Sequence, residues 1–451
     1  MPASRPGYGI WGFWRRTWTS SRLRRPSSGR RSSTRGRLPP PICSRSTERR
    51  SEAFATPEPS VVRLLLSLSF LLASPFLLAS EGAAGDGNDQ EAASAASLFR
   101  PAADAWPVFR GNLLGTGVAG TTLPENPELL WAFDTESEIE STAAIVDGVV
   151  YIGDYEGRVY ALTLAEGREL WRFEAGTPIK APVSVFEDVV YVGDEYGFVY
   201  ALDAGTGEQK WKFETLGEIY AGVSLHESPE GGDRLLIGSY DNSLYCLDRT
   251  SGEKLWQVET DGYVHGTPAV AGGLTTVSGC DGFMWLIDIE TGETVQKIDL
   301  RGQAASSPAV IGDMAYVATY ENEVLGIDLA KRQVVWAYEH EIRKFPFYAS
   351  AAADDEIVVI GGRDKIVHAL DPATGERKWE WNSGARLDSS PVIVGDRIFL
   401  GSKRGPVLAL DKATGEPVWE FDTGSAIMAS PAVASERLVI GSLDGILYCF
   451  G

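Results

Sequence analysis

The chain has 451 residues, with 41 Lys and Arg against 62 Asp and Glu, and a formal net charge of −21 at pH 7. The charge is divided unevenly: through Ser80 there are 14 Arg, no Lys and three acids (Glu48, Glu52, Glu58), leaving 27 basic and 59 acidic residues beyond it, a net of −32. So acidic a surface repels nucleic acid and anionic membrane, which are held through clustered Lys and Arg, and it suits solubility in a salty or calcium-containing compartment.

Residues 1–60 are rich in Arg, Ser and Pro, lack hydrophobic periodicity and read as a disordered extension. Residues 61–84 read as a signal peptide, in which Arg63 precedes an apolar run that gives way to small residues, with cleavage expected between Ser80 and Ala84. The run is interrupted by serines and Pro75 and is short for a membrane span. Export to the periplasm or the extracellular space is therefore expected, with no integral membrane segment after cleavage. If residues 61–80 are not cleaved, the protein stays membrane-anchored. A sixty-residue extension ahead of a signal is abnormal, and a start at Val61 or Val62 would make residues 1–60 a gene-model artefact. Residues 85–105 are a linker of Gly, Ala and Asp.

From residue 106 onward the chain is expected to be one domain. It opens on Trp106 to Gly117 (Trp-Pro-Val-Phe-Arg-Gly-Asn-Leu-Leu-Gly-Thr-Gly), whose Gly-x-x-Gly neither follows a strand nor opens a helix. The expected role is a lead-in that packs aromatics beneath the repeats. The repeats are marked by Trp131, Trp171, Trp211, Trp256, Gln296, Trp336, Trp379 and Trp419, a period near 40 residues that signals a repeat fold. Each unit is strand-like, as in 181–185, 189–192, 198–202 and 210–213: short, rich in β-branched and aromatic residues, and bounded by Gly, Asp and Asn. Four antiparallel strands per unit make one propeller blade.

Registration against the Trp slot sharpens this reading. Eight residues before it stand Asp203, Asp248, Asp288, Asp328, Asp371 and Asp411, with Thr163 the exception. Four before it stand Gly167, Gly207, Gly252, Gly292, Gly375 and Gly415, with Arg332 the exception. This pairing suits an Asx turn closed by a residue at positive φ. Ten before it, residues such as Ala161, Ala201, Cys246 and Gly326 are mostly small, as expected where strands converge on an axis. The last unit stops at Gly451 before its Trp strand, and residues 128–135 are a lone Trp strand with nothing before it. Joining them gives an all-β, eight-bladed propeller closed by the N-terminal strand in the C-terminal blade, with seven blades as the alternative.

Four cysteines (Cys43, Cys246, Cys280, Cys449) and four scattered histidines include no Cys-x-x-Cys pair, so no zinc or haem site is indicated. Cys246 and Cys449 share a slot in blades that are not neighbours, which argues against a bridge between them. Cys280 stands at a turn tip and is expected to be a free thiol.

The motif Val-Tyr-Ala-Leu-Asp-Ala-x-Thr-Gly-x-x-x-Trp at 199–211, with Ser-Pro-Ala-Val at 307–310 and 430–433, resembles the pyrroloquinoline quinone repeat family of β-propellers. The resemblance covers about three quarters of the chain and is most similar to the BamB-like outer-membrane assembly factors. The family also holds quinoprotein dehydrogenases, for which the resemblance implies an adjacent Cys–Cys pair stacked on the quinone, a calcium ion and an Asp base. The sequence has no Cys–Cys pair and no large insertions to roof a cofactor pocket, and a regular ring leaves an open channel. No catalytic, cofactor-binding or metal-binding residue is therefore assigned, and neither pyrroloquinoline quinone nor calcium is expected.

The expected function is that of an exported, monomeric, non-catalytic scaffold that binds a protein on the channel-mouth face, where second-to-third-strand turns and interblade connections open together. Tyr155, Tyr196, Tyr240, Tyr320, Arg363, Lys403 and Arg404 stand at turn tips there. A three-residue insertion in 339–348 adds Arg343, Lys344, Phe345, Phe347 and Tyr348. Aromatics with Arg favour a protein-binding patch. Two alternatives stand beside it: a quinone-dependent dehydrogenase, and a calcium-dependent carbohydrate or peptide binder using Asp241, Asn242, Glu321 and Asn322.

Overall fold

A computed structural model describes residues 104–229 and 231–451. The expected extension, the signal peptide and all but the end of the linker lie outside the described residues. Eight four-stranded antiparallel sheets are present, and no helix is long and apolar enough to cross a membrane among the described residues. Blade 1 consists of Ala144–Val146, Val149–Gly153, Arg158–Thr163 and Glu169–Glu174, hydrogen-bonded in that order from the inner strand outward. Blades 2 to 7 repeat this arrangement. Blade 8 combines Ala432–Ala434, Arg437–Gly441 and Ile446–Phe450 with Leu129–Asp134, so the two ends of the repeat region close the ring as expected and remove a sheet edge.

The seams between blades are built from two slots seen in the sequence. The Trp131 ring of blade 8 lies against Gly167 of blade 1, where an added Cβ would fall 2.6 Å from it, and its Nε1 donates to Leu164 O (2.8 Å). Trp171, Trp211, Trp256, Trp336 and Trp379 repeat the contact on Gly207, Gly252, Gly292, Gly375 and Gly415. Trp419 donates to Pro127 O across the closing seam. The two exceptions, Gln296 and Arg332, thus fall on the two sides of one seam, that between blades 4 and 5. Turn chemistry agrees as well: Asp203 Oδ1 accepts from Gly205 N, Thr206 N and the Thr206 hydroxyl.

The small residues ten before the slot have a different cause from the one expected. Ala161, Ala201, Cys246, Gly326, Ala369, Ala409 and Cys449 are direct cross-strand partners of a Trp, on the third strand rather than nearest the axis. A Cβ on Gly326 would meet Trp336 at 2.1 Å. Leu286, the large member of the set, faces Gln296, where no indole needs the space.

The lead-in does more than pack beneath the ring. It runs once around the inner strands: Trp106 pairs with Ile145 of blade 1, and the carbonyls of Pro107, Leu113, Leu114, Thr116 and Gly117 accept from Val185, Val270, Val310, Ala353 and Ile393. Val108 packs with Val223 and Leu225 of blade 3, and Thr121 Oγ1 accepts from Glu436 N at blade 8. Arg110, at φ +68°, is buried and donates to Ala351 O (2.9 Å) in blade 6. Burial without a counter-charge lowers its pKa to about 9. The expected open channel is therefore crossed at one end by this strap.

Cys246 and Cys449 are buried free thiols, each pushed up to about 12 by burial. Cys280, expected free, is disulfide-bonded.

Candidate functional site

The mouth of the ring lies opposite the strap. Seven turn tips donate backbone bonds to the interblade connection entering their own blade, among them Tyr155 N to Glu138 O, Tyr240 N to Glu218 O and Lys403 N to Arg386 O. These bonds hold tips and connections at one level. In each connection a buried residue (Ile139, Ile179, Ile219, Val264, Ala304, Phe347, Leu387, Ile427) anchors the backbone. The residue after it (Glu140, Lys180, Tyr220, His265, Ala305, Tyr348, Asp388, Met428) takes the adjacent register position around the mouth.

These side chains lock onto one another. Lys180 Nζ pairs with Glu195 (2.9 Å) and reaches Glu140 (3.9 Å), and the Tyr220 hydroxyl donates to Glu195 Oε1 (3.1 Å). Burial raises the pKa of the Glu140 carboxyl, while burial pulls the Lys180 ammonium down and its two carboxylates more than offset that. The Tyr240 hydroxyl meets His265 Nδ1, and its ring stacks on Tyr263 with centroids 4.6 Å apart at 4°. Burial lowers the pKa of His265 to about 4, so the ring is neutral at physiological pH. Across the mouth, Tyr320 and Tyr348 rings lie 4.6 Å apart and the Arg363 guanidinium sits 3.2 Å over Tyr348. Arg363 forks onto Asp388 (2.7 and 3.2 Å), which also accepts Lys403 (2.9 Å). Burial would raise the pKa of Asp388, but the two cations outweigh it and hold the carboxyl below its usual value.

The predicted residues divide into three groups. Tyr240, Tyr320, Tyr348, Arg363 and Lys403 belong to this paired ring. Tyr155 (39% exposed), Tyr196 (70%), Phe345 (48%) and Arg404 stand outward on the rim, with Arg343 bonded to Asp364 O (3.0 Å) and Lys344 paired to Glu339 (2.8 Å). Phe347 is a correction: it is 2% exposed and fills the anchor slot of blade 6 among Tyr316, Ala349 and Ile360, so it is core and not contact surface. Of the proposed calcium ligands, Asp241 Oδ2 already accepts from Leu216 N (2.9 Å) and Tyr245 Oη (2.6 Å). Asn242 and Asn322 take the positive-φ turn position that Gly157 and Gly197 take in blades 1 and 2.

Lys180, Glu195, Tyr220, His265 and Asp388 were not singled out by the sequence, although aligning the interblade connections on their anchor residue brings all but Glu195 into one column. Two rim crevices also emerge. One, of about 480 Å³ on blade 2, is lined by Glu195, Tyr196, Phe198, Glu214, Leu216, Gly217 and Glu218. The other, of about 390 Å³ on blade 6, is lined by Arg343, Phe345, Arg363, Asp364, Lys365, Asn382, Gly384 and Arg386. Relative to the Trp slots at 211 and 379, Glu195, Glu214 and Glu218 correspond to Arg363, Asn382 and Arg386.

The profile of the family described as outer membrane protein assembly factor BamB matches residues 122–230, 216–296, 285–390 and 363–450. No curated protein matches the chain. Among solved structures, BamB from Moraxella catarrhalis is 21% identical, covering 72% of this chain and 97% of its own, with a TM-score of 0.61. A quinohemoprotein alcohol dehydrogenase from Comamonas testosteroni is 14% identical, with coverages of 81% and 82% and a TM-score of 0.61. A europium-containing methanol dehydrogenase is 13% identical, with coverages of 78% and 98% and a TM-score of 0.62. At these identities the structural likeness speaks for the fold and leaves chemistry to the residues.

Proposed function

Because the chain belongs to the BamB family of β-propellers, we propose that it is an exported, non-catalytic scaffold of the cell envelope that holds a protein partner on its mouth face. One observation carries this reading: the charged side chains over the mouth are satisfied by one another, while apolar groups stand free on the rim around them. The Lys180–Glu195–Tyr220 and Tyr348–Arg363–Asp388–Lys403 sets spend their donors and acceptors internally. Tyr196, Leu216 (91% exposed), Ile342 (84% exposed) and Phe345 offer area to a macromolecule.

A quinone fits this arrangement poorly. The strap crosses the channel beneath the mouth, and the described cysteines lie on separate blades, so no adjacent pair is available to stack on the ring. No step is assigned to a cofactor. Calorimetric titration with pyrroloquinoline quinone, with and without calcium, is expected to give no heat, and photo-crosslinkers at Tyr196 and Phe345 are expected to capture a protein in the envelope. Tight calcium-dependent quinone binding would overturn the scaffold reading and restore the dehydrogenase.

A further inference from the structure

We propose that the crevice of blade 6 is a receptor for an acidic peptide segment, two or more carboxylates flanking an apolar side chain. This deepens the scaffold reading and rests on it.

The same crevice is built at corresponding positions of two blades four apart in an eight-membered ring, and its charge is inverted between them. Blade 2 offers Glu195, Glu214 and Glu218; blade 6 offers Arg363, Asn382 and Arg386, and adds Arg343 and Lys365. On a chain with a net charge of −32 beyond Ser80, the bland outcome is a crevice lined by carboxylates, and blade 2 shows it. The reversal in blade 6 needs the several cations to repel one another at close range, a cost that a bound anion removes.

These cations are not all consumed internally. Arg363 is held by Asp388, and Arg343 by Asp364 O. Asp364 itself is buried and accepts from His368 (3.0 Å). Lys365 and Arg386 are exposed and make no ion pair among the described residues. Arg404 adds a further cation at the crevice edge, its Nη1 only 3.4 Å from where a Cβ on Gly384 would sit. Exposed cations elsewhere divide: Lys331, Lys344 and Arg377 each sit on a carboxylate, whereas Arg168 and Arg332 stand singly among the described residues, so what marks blade 6 is the gathering of several cations around one crevice.

The shape and the apolar content select the ligand class. Guanidinium groups fork onto carboxylates with a geometry that gives direction as well as charge. Phe345, half exposed in the crevice wall, supplies an apolar contact that a peptide side chain fills. A volume of about 390 Å³ is of the size that short ligands occupy.

The test uses the purified chain and a fluorescein-labelled peptide, Glu-Phe-Asp-Glu with blocked ends, read by anisotropy. Its amide counterpart, Gln-Phe-Asn-Gln, is expected to bind about tenfold more weakly or worse, and the acidic peptide to lose affinity as salt rises from about 50 to about 500 mM. Lys365→Glu with Arg386→Glu, both exposed, is expected to weaken binding at least about tenfold. Glu214→Gln with Glu218→Gln in blade 2 should leave it unchanged. Equal binding of the two peptides, no binding, or indifference to the double reversal overturns the proposal, as does tighter binding of an oligogalacturonate, which would make the ligand a saccharide. Crosslinking in cells separates the two levels. A partner captured from Tyr196 but not from Phe345 sinks this inference and leaves the scaffold, whereas capture from neither position sinks both.

Discussion

Blades 2 and 6 carry the same crevice with opposite chemistry. In blade 2 the tip residue is Glu195, neutralised by Lys180 from the neighbouring connection, and the walls are Glu214 and Glu218 with Leu216 fully outward. In blade 6 the tip is Arg363, neutralised by Asp388, and the walls carry Arg343, Lys365 and Arg386 with Phe345 half outward. The turn tip and the outgoing connection keep the same register, whereas the anchor changes from Ile179 to Phe347 and the insertion entering blade 6 brings in Arg343 and Phe345, so the difference lies in one inserted loop and in side chains that the fold does not constrain. A repeat protein can thus hold its ring constant and vary its recognition surface blade by blade.

The largest way to break the comparison is at the anchor beneath each crevice. Phe347→Ala removes a side chain 2% exposed, and thermal or urea denaturation should show a loss of about 3–5 kcal/mol. Phe345→Ala, two positions earlier and half exposed, should leave stability within about 0.5 kcal/mol while reducing partner capture. Next comes the pair under the blade 6 rim. Asp388→Ala strands Arg363 and Lys403 in a largely buried site and is expected to cost about 2–3 kcal/mol. Glu195→Ala in blade 2, where the carboxylate is more exposed than Asp388 (18% against 5%) and Lys180 keeps Glu140 within 3.9 Å, should cost about 1 kcal/mol.

Acid should act between these two regions, through His265. Its folded pKa of about 4 lies below the ordinary value of 6.5, so the unfolded chain takes up the proton first and stability falls as pH drops from 6.5 towards 4. A loss of about 1–2 kcal/mol is expected across that window for the partly buried ring, followed by chemical denaturation at stepped pH, and His265→Phe should flatten it. The smallest effect belongs to Leu216→Ser, which should change stability by less than about 0.5 kcal/mol and report only on whether the partner also touches the acidic side.

The ring was readable because each blade repeats the same turn, the same Trp and the same Gly, so a fault in one copy is exposed by the others. Even the exceptions carried meaning, since Gln296 and Arg332 depart together at one seam. The mouth was readable only in part. Turn tips such as Tyr155 and Tyr196 announce themselves because aromatics are unexpected at turns. Lys180, His265 and Asp388 do not, because a connection of polar and small residues shows no period that separates ring-facing from solvent-facing side chains. Phe347 misled for a related reason: the insertion placed three aromatics within four residues, Phe345, Phe347 and Tyr348, and which of them takes the anchor slot is decided by counting back from the inner strand, Ala352–Ala353, not forward from Trp336.

The course of the strap also sets which way the protein presents itself. Asp104 O accepts from the Ser435 hydroxyl, in the turn between the first two strands of blade 8, on the face away from the mouth. A tether attached ahead of Asp104 would pull from the back of the disc along the line of the strap, whose bonds to the inner strands spread the load around the ring. The two crevices would then point outward from whatever surface the tether holds, free to meet a partner arriving from the opposite side.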